Sequence, residues 1–260
     1  MSGMLVPRAI SASCPRVASL VDSAAMRGSV ALVGAGEFLP EMAAFDRGLL
    51  DASGSDRPRV AIVPTASYPD GEEIFQRWAS LGVEHFTSIG AEVEAVLVRS
   101  REEADDPANA QAVGEADLIY FSGGKPGYLL DALSESAVWS AALAANERGA
   151  VLAGCSAGAM VLGGCQVNLR RLMLPWPLRW RAALGVVPGT TVLPHYNAWP
   201  EPFTALMALQ APSGTVVLGI DERTALVGRE GGWQVHGEAR VTVWRGRRRQ
   251  RHRAGESFRL

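Results

Sequence analysis

Lysine is almost missing from this sequence: Lys125 is the only one, and arginine supplies the rest of the 25 positive charges. That skew follows base composition and carries no functional reading. Cysteine is also scarce. Cys14, Cys155 and Cys165 have no metal-ligand spacing and cannot all pair, which excludes a disulfide framework and favours a reducing, cytoplasmic setting. An excess of either charge is lacking too: the net charge is −2 and the pI about 6.1, so no electrostatic pull toward nucleic acid or a membrane surface is expected. No run approaches the roughly 18 apolar residues that would span a bilayer.

Residues 1–27 differ from the rest. They carry Arg8, Arg16 and Arg27 but no apolar stretch long enough for a signal-peptide core, so export is not expected. They read as a poorly ordered N-terminal extension, with Met26 an alternative start. With 48% hydrophobic residues, the remaining 28–260 suffice for one large α/β domain.

The sequence is organised around Gly154-Cys155-Ser156-Ala157-Gly158-Ala159, set between the apolar runs 150–153 and 160–162. This reads as a buried strand, a very tight turn and a helix. A Gly-x-Ser-x-Gly turn holds its central serine in a strained conformation, and the flanking glycines let strand and helix cross closely. The serine hydroxyl then projects at the carboxyl end of the sheet, with the free N–H groups and dipole of the new helix beside it. A tightly packed turn without chemistry is the plain alternative. Cys155 is a rival nucleophile, but side-chain alternation turns it away from Ser156 and makes it a buried thiol.

Upstream, apolar runs at 30–33, 60–64, 93–98 and 117–121 alternate with helical patterns. In the second helix, Ile74, Trp78 and Leu81 recur at helical spacing. Apolar strands alternating with helices predict a three-layer α/β fold, a mostly parallel sheet with helices on both faces, flavodoxin-like. The tail beyond Ala225 predicts short antiparallel strands at one edge. In such sheets the carboxyl-end loops build the site. Here those are Gly34-Ala35-Gly36-Glu37, Thr65-Ala66-Ser67, Gly123-Gly124-Lys125 and the Ser156 turn. The first lacks a third glycine at Leu39 for dinucleotide binding and reads as close backbone packing. No cofactor or metal is expected. Leu174-Pro-Trp-Pro-Leu-Arg-Trp180 resists helix and strand alike, so the Trp176/Trp180 segment reads as a loop, either a lid or a dimer contact.

A serine hydroxyl needs a base, and the base needs an acid to hold it. Only four histidines exist. His85 falls in a helix-to-strand connection, His236 in the tail and His252 in the arginine-rich segment. His195 alone ends a strand expected in the main sheet downstream of Ser156. Asp221 and Glu222 both stand at the end of a later strand, and in a strand they face opposite ways, so one reaches His195 while the other pairs locally. The Gly123-Gly124 pair lets a backbone N–H approach an oxyanion.

Gly-Cys-Ser-Ala-Gly-Ala at 154–159, Phe-Ser-Gly-Gly at 121–124 and Gly-Ile-Asp-Glu-x-Thr-Ala-Leu at 219–226 together resemble the serine peptidase family of cyanophycinase and aspartyl dipeptidase (dipeptidase E), whose fold is like that of class I glutamine amidotransferases. The resemblance covers about residues 29–244. It implies Ser156 as nucleophile, His195 as base and Glu222 as orienting acid, with the N–H groups of Gly124 and Ala157 as oxyanion hole. The substrate grip departs from the family. Cyanophycinases tend to carry Gln before the histidine and arginines after it, where this chain has Pro194 and Tyr196-Asn197-Ala198-Trp199. Lys125-Pro126 replaces Asp-Gln after the glycine pair. Lys125, Tyr196, Asn197 and Arg223 are therefore the candidate substrate contacts, and the positive charges favour a short peptide or amide with an anionic group.

The expected function is a serine-type hydrolase of a small peptide or amide. Alternatives are a non-catalytic binding protein on the same fold, or a glutamine-amide hydrolase, which would place cysteine where Ser156 stands. The run Arg247–Arg253 reads as an exposed turn or tail, not a nucleic-acid site, because it lacks interleaved aromatics. A homodimer is compatible with this reading.

Overall fold

The computed structural model describes residues 27–168, 178–229 and 231–260. Cys14, Met26 and Trp176 lie outside the described residues.

Strand and helix alternate through the first two thirds: β1 (Val30–Val33), α1 (Ala43–Ser53), β2 (Arg59–Val63), α2 (Glu72–Ser88), β3 (Glu92–Ala95), α3 (Arg101–Ala104), α4 (Pro107–Gly114), β4 (Leu118–Phe121), α5 (Pro126–Leu133), α6 (Ala137–Glu147), β5 (Val151–Cys155) and α7 (Ala157–Leu162). The short hairpin strands β6 (Cys165–Val167) and β7 (Trp180–Ala182) follow, then β8 (Thr190–Leu193), α8 (Glu201–Leu209) and β9 (Val216–Ile220). The chain closes with β10 (Thr224–Arg229), β11 (Gly232–Gly237), β12 (Arg240–Arg245), β13 (Arg248–Arg253) and β14 (Ser257–Arg259).

The main sheet has the order β14-β11-β10-β1-β5-β4-β2-β3, and its β1, β5, β4, β2 and β3 are parallel. Side-chain alternation explains why both faces need helices. Along β1, Val30 and Leu32 join one apolar cluster with Leu129 and Leu133 of α5 and Val138 and Ala142 of α6. Ala31 and Val33 join another with Leu49 and Leu50 of α1 and Phe86 of α2. A strand buried on both sides reads as a continuous apolar run, which is why these strands were visible in the sequence.

Five expectations need correction. The strand ending at His195 does not belong to the main sheet: β8 pairs in parallel with β9 in a separate four-stranded sheet, β13-β12-β9-β8. The tail is divided likewise, with β10, β11 and β14 extending the main sheet and β12 and β13 the second. In α2 the buried stripe is Phe75, Ala79, Gly82 and Phe86, while Ile74 and Leu81 are exposed. Two apolar stripes one position apart compete in that helix, and the one carrying the phenylalanines faces the sheet. Trp180, expected in a loop, opens β7 and pairs with Val167 of β6. The arginine-rich run is an edge strand, β13, whose Arg249 and Arg251 both pair with Glu201. Among the described residues no helix is long and apolar enough to cross a membrane.

Candidate active site

The turn between β5 and α7 is as tight as its glycines imply. Ser156 has φ 49° and ψ −105°, a left-handed backbone that costs a non-glycine residue about 1–3 kcal/mol and is kept only where its surroundings enforce it. Its N–H donates to Val33 O of β1 at 3.0 Å. A Cβ on Gly154 would stand 2.5 Å from Gly158 C, and one on Gly158 would stand 2.1 Å from Phe121 O of β4. Neither glycine can carry a side chain while α7 crosses β4 and β5 this closely.

Backbone bonds from the loop after β1 bring the second sheet to this turn. Gly34 O accepts from His195 N at 3.3 Å, and Ala35 O accepts from Arg223 N at 2.9 Å. A Cβ at Gly34 would meet Asp221 O at 2.1 Å, so this glycine turn serves close approach. The carboxyl ends of β1, β5, β8 and β9 thus converge.

At that junction Ser156 Oγ lies 3.1 Å from His195 Nε2, and His195 Nδ1 lies 2.9 Å from Glu222 Oε1. A neutral imidazole protonated at Nδ1 donates to the Glu222 carboxylate and accepts the serine hydroxyl at Nε2. His195, with φ 49°, immediately precedes the one-turn 3-10 segment Tyr196–Ala198. Glu222 N donates to Asn197 Oδ1 at 2.9 Å, tying the loop that carries the acid to the loop that carries the histidine. The side chains of His195 and Glu222 are each 41% exposed, so the site is open to solvent. Asp221 faces the other way. It is buried, with Oδ2 3.5 Å from Arg240 Nε, and burial raises its pKa against the pull of Arg240.

The amides around the glycine pair are largely committed. Ser122 N donates to Val63 O (3.3 Å), Gly123 N to Glu37 Oε1 (2.9 Å) and Lys125 N to Ala66 O (2.7 Å). Gly124 N between them, and Ala157 N at the start of α7, have no hydrogen-bond partner among the described residues.

A sequence profile of peptidase family S51 matches residues 30–236, which include every residue of this junction. The chain belongs to peptidase family S51. Among its relatives, cyanophycinases of Trichormus variabilis (strain ATCC 29413 / PCC 7937) and Nostoc sp. (strain PCC 7120 / SAG 25.82 / UTEX 2576) are each 27% identical over 202 residues. The matched region is 74% of this chain but 64% of each cyanophycinase, so the chain spans less than two thirds of those relatives. The crystal structure of a peptidase from an acI-B1 actinobacterium superposes with TM-score 0.81 at 35% identity, covering 90% of this chain and 98% of the other. A Listeria monocytogenes EGD-e protein assigned provisionally as peptidase E shares the fold, with TM-score 0.57 at 19% identity over 82% of this chain and 99% of the other.

All four candidate substrate contacts of this S51 chain have other partners. Tyr196 is buried, its ring against Gly219 and its hydroxyl accepting from Trp244 Nε1 at 2.9 Å, which makes it an anchor of the second sheet. Asn197 is occupied by the Glu222 backbone. Arg223 Nε lies 2.7 Å from Glu238. Lys125 reaches Asp70 at 3.0 Å, so its charge is countered. His85, expected in a connection, lies in α2 and forms a buried pair with Asp46 at 2.8 Å.

Cys155 is fully buried, and desolvation together with Glu37 pushes its thiol well above its ordinary pKa, so it is held as an unreactive thiol. The residue overlooked in the sequence is Glu37 itself. Its Oε1 accepts Gly123 N–H and its Oε2 accepts Cys155 S–H at 2.8 Å, partners 86 and 118 positions away. An acidic residue directly after a glycine turn at the sheet's carboxyl edge was the available signal.

Proposed function

We propose that this chain is a serine-type peptidase that cleaves a small peptide or amide through an acyl-enzyme on Ser156. The observation that carries the reading is the continuous hydrogen-bonded run from Ser156 Oγ through the two nitrogens of His195 to Glu222. His195 takes the serine proton as Oγ attacks the carbonyl carbon, and later delivers it to the leaving amine. Glu222 fixes the imidazole tautomer and stabilises the imidazolium. The tetrahedral oxyanion is received by the N–H groups of Gly124 and Ala157, each of which is worth roughly 10²–10³ in rate in such sites. Water then attacks the acyl carbon with His195 as base and frees Ser156. No cofactor takes part.

Family membership and the likeness to the actinobacterial peptidase support this reaction class. They leave the substrate to be argued from the site. Lys125 sits beside the glycine pair but shares its charge with Asp70, and Arg223 shares its own with Glu238. We assign the site a short peptide or amide, with only a weak preference for an anionic group through Lys125. Profiling hydrolysis across a library of dipeptides and isoaspartyl dipeptides, with wild type and Ser156→Ala in parallel, tests the reading. Turnover of one class that disappears in Ser156→Ala is expected. Turnover that survives in Ser156→Ala contradicts the mechanism, and a folded protein silent across the library favours a binding protein. Efficient cleavage of β-aspartyl-arginine would overturn the substrate argument.

A further inference from the structure

Glu37 is buried where the Gly123-Gly124 loop and the Cys155-Ser156 turn meet, and one of its oxygens is bonded to each. The loop is fixed at three of its four successive amides, and two of those partners, Val63 O and Ala66 O, are backbone carbonyls that no substitution removes. Glu37 is the third and the only side chain among them. The amide it holds, Gly123 N–H, is next to the unpaired Gly124 N–H. The thiol it holds belongs to the residue between Gly154 and Ser156, two positions before Ala157. A Cβ on Gly123 would lie 2.6 Å from Glu37 Oε1 and 3.4 Å from Ser156 Cβ, so carboxyl group, glycine and serine are stacked in direct succession. On the far side the Tyr120 hydroxyl lies beside Cys155, and Tyr120 packs against Phe38, the residue after Glu37.

We infer that Glu37 is a positioning residue: by bridging Gly123 N–H and Cys155 Sγ it sets the spacing and direction of the two N–H groups, Gly124 and Ala157, that receive the oxyanion. It contacts no substrate. It also takes Gly123 N–H out of competition, so that Gly124 N–H alone points from this loop. The inference rests on the serine-peptidase reading above and adds to it a residue from the opposite end of the sequence.

The test uses phosphonylation of Ser156 by an alkyl fluorophosphonate, whose P–O oxygen occupies the position of the oxyanion. Glu37→Met keeps the length and bulk but has no oxygen acceptor for Gly123 N–H. Its maximal labelling rate is expected to fall about 10–100-fold while the half-saturating probe concentration stays the same, since donors are misdirected and the binding surface is not changed. Titrated to completion, the variant should still label one site per folded chain, whereas a merely structural loss would lower that fraction and leave the rate of the remaining sites unaltered. The conservative Glu37→Gln, whose amide oxygen accepts Gly123 N–H and whose NH₂ faces the sulfur, should restore the rate to within about threefold, and Glu37→Asp, one methylene short, should not. Should Glu37→Met fail to fold, the Gln and Asp pair decides alone. Equal rates in wild type, Gln and Asp, or Asp faster than Gln, overturn the inference. Labelling that persists undiminished in Ser156→Ala, or a folded wild type that does not label at all, sinks the parent reading and takes this inference with it.

Discussion

Gly158→Ala puts the close crossing of α7 and β4 to a direct test. The added Cβ would stand 2.1 Å from Phe121 O and 2.9 Å from Phe121 C. Carbon–oxygen contacts in folded proteins settle near 3.3 Å, so about 1.2 Å of movement is required. The obstacle is backbone, which leaves rotamer changes no part in the relief. All six residues of α7 are buried, so the helix has little free space to retreat into. Overpacking of this kind costs about 1–3 kcal/mol and occasionally more. Taking about 3 kcal/mol, the melting temperature should fall by roughly 6–12 °C for a chain of this size. A displacement near 1 Å at Ser156 should also slow its reaction with a fluorophosphonate about 100-fold. The control is Gly48→Ala in the middle of α1, where an added Cβ meets nothing within 4 Å. There the helix should gain about 0.5–1 kcal/mol, because alanine loses less backbone freedom on folding. Urea denaturation of both variants, with m-values compared, checks the pair. A Gly158→Ala protein within 0.5 kcal/mol of wild type and labelled at the wild-type rate would refute the claim that this glycine is required for the crossing.

Tyr196→Phe should cost about 1–3 kcal/mol by leaving the buried Trp244 Nε1–H without its acceptor, and should leave KM for peptide substrates unchanged, as kinetics and thermal melts can show together. Stability should weaken as pH drops below about 6.5, the range where an unfolded histidine takes up its proton. Burial lowers the pKa of His236, so the neutral ring's contribution is complete above that range and is lost on the way down through the folded value; His236→Gln should flatten the slope between pH 5 and 7, modestly because the ring is partly exposed. Lys125→Met should raise KM for an acidic peptide by no more than about fivefold, and Asp70→Asn should lower it, since an exposed ion pair is worth at most about 1 kcal/mol. Equal effects of Lys125→Met on acidic and neutral peptides would remove the lysine from selectivity.

What could be read from the sequence was local geometry. Gly154 and Gly158 flank Ser156 at positions where only glycine fits, and the runs at β1, β2, β4 and β5 are apolar on both faces. What stayed hidden depends on partners distant in sequence. An apolar run names a strand but not its sheet, so β8 was expected in the main sheet when it forms another with β9, β12 and β13. Lys125 appeared as a lone positive charge because Asp70, 55 positions earlier, meets it only in the folded chain. Tyr196 next to His195 suggested a substrate contact, yet successive residues turn to different sides and its ring packs inward on Gly219. Glu37 went unnoticed for the same reason, since neither Gly123 nor Cys155 is near it in sequence. Strand alternation left open which of Asp221 and Glu222 faces His195; in three dimensions Glu222 lies against its Nδ1 while Asp221 turns toward Arg240.

The central claim is that Ser156 is the nucleophile and His195 its base, and intact-protein mass spectrometry after fluorophosphonate treatment tests it most directly. The account predicts one adduct per chain, mapped by peptide sequencing to Ser156. The adduct should be absent from Ser156→Ala, form at least about 10³-fold more slowly in His195→Ala, and still form on Ser156 in Cys155→Ala, though up to about 100-fold more slowly because Glu37 loses the sulfur end of its bridge. An adduct on Cys155, or a folded wild-type protein that stays unmodified, would contradict it.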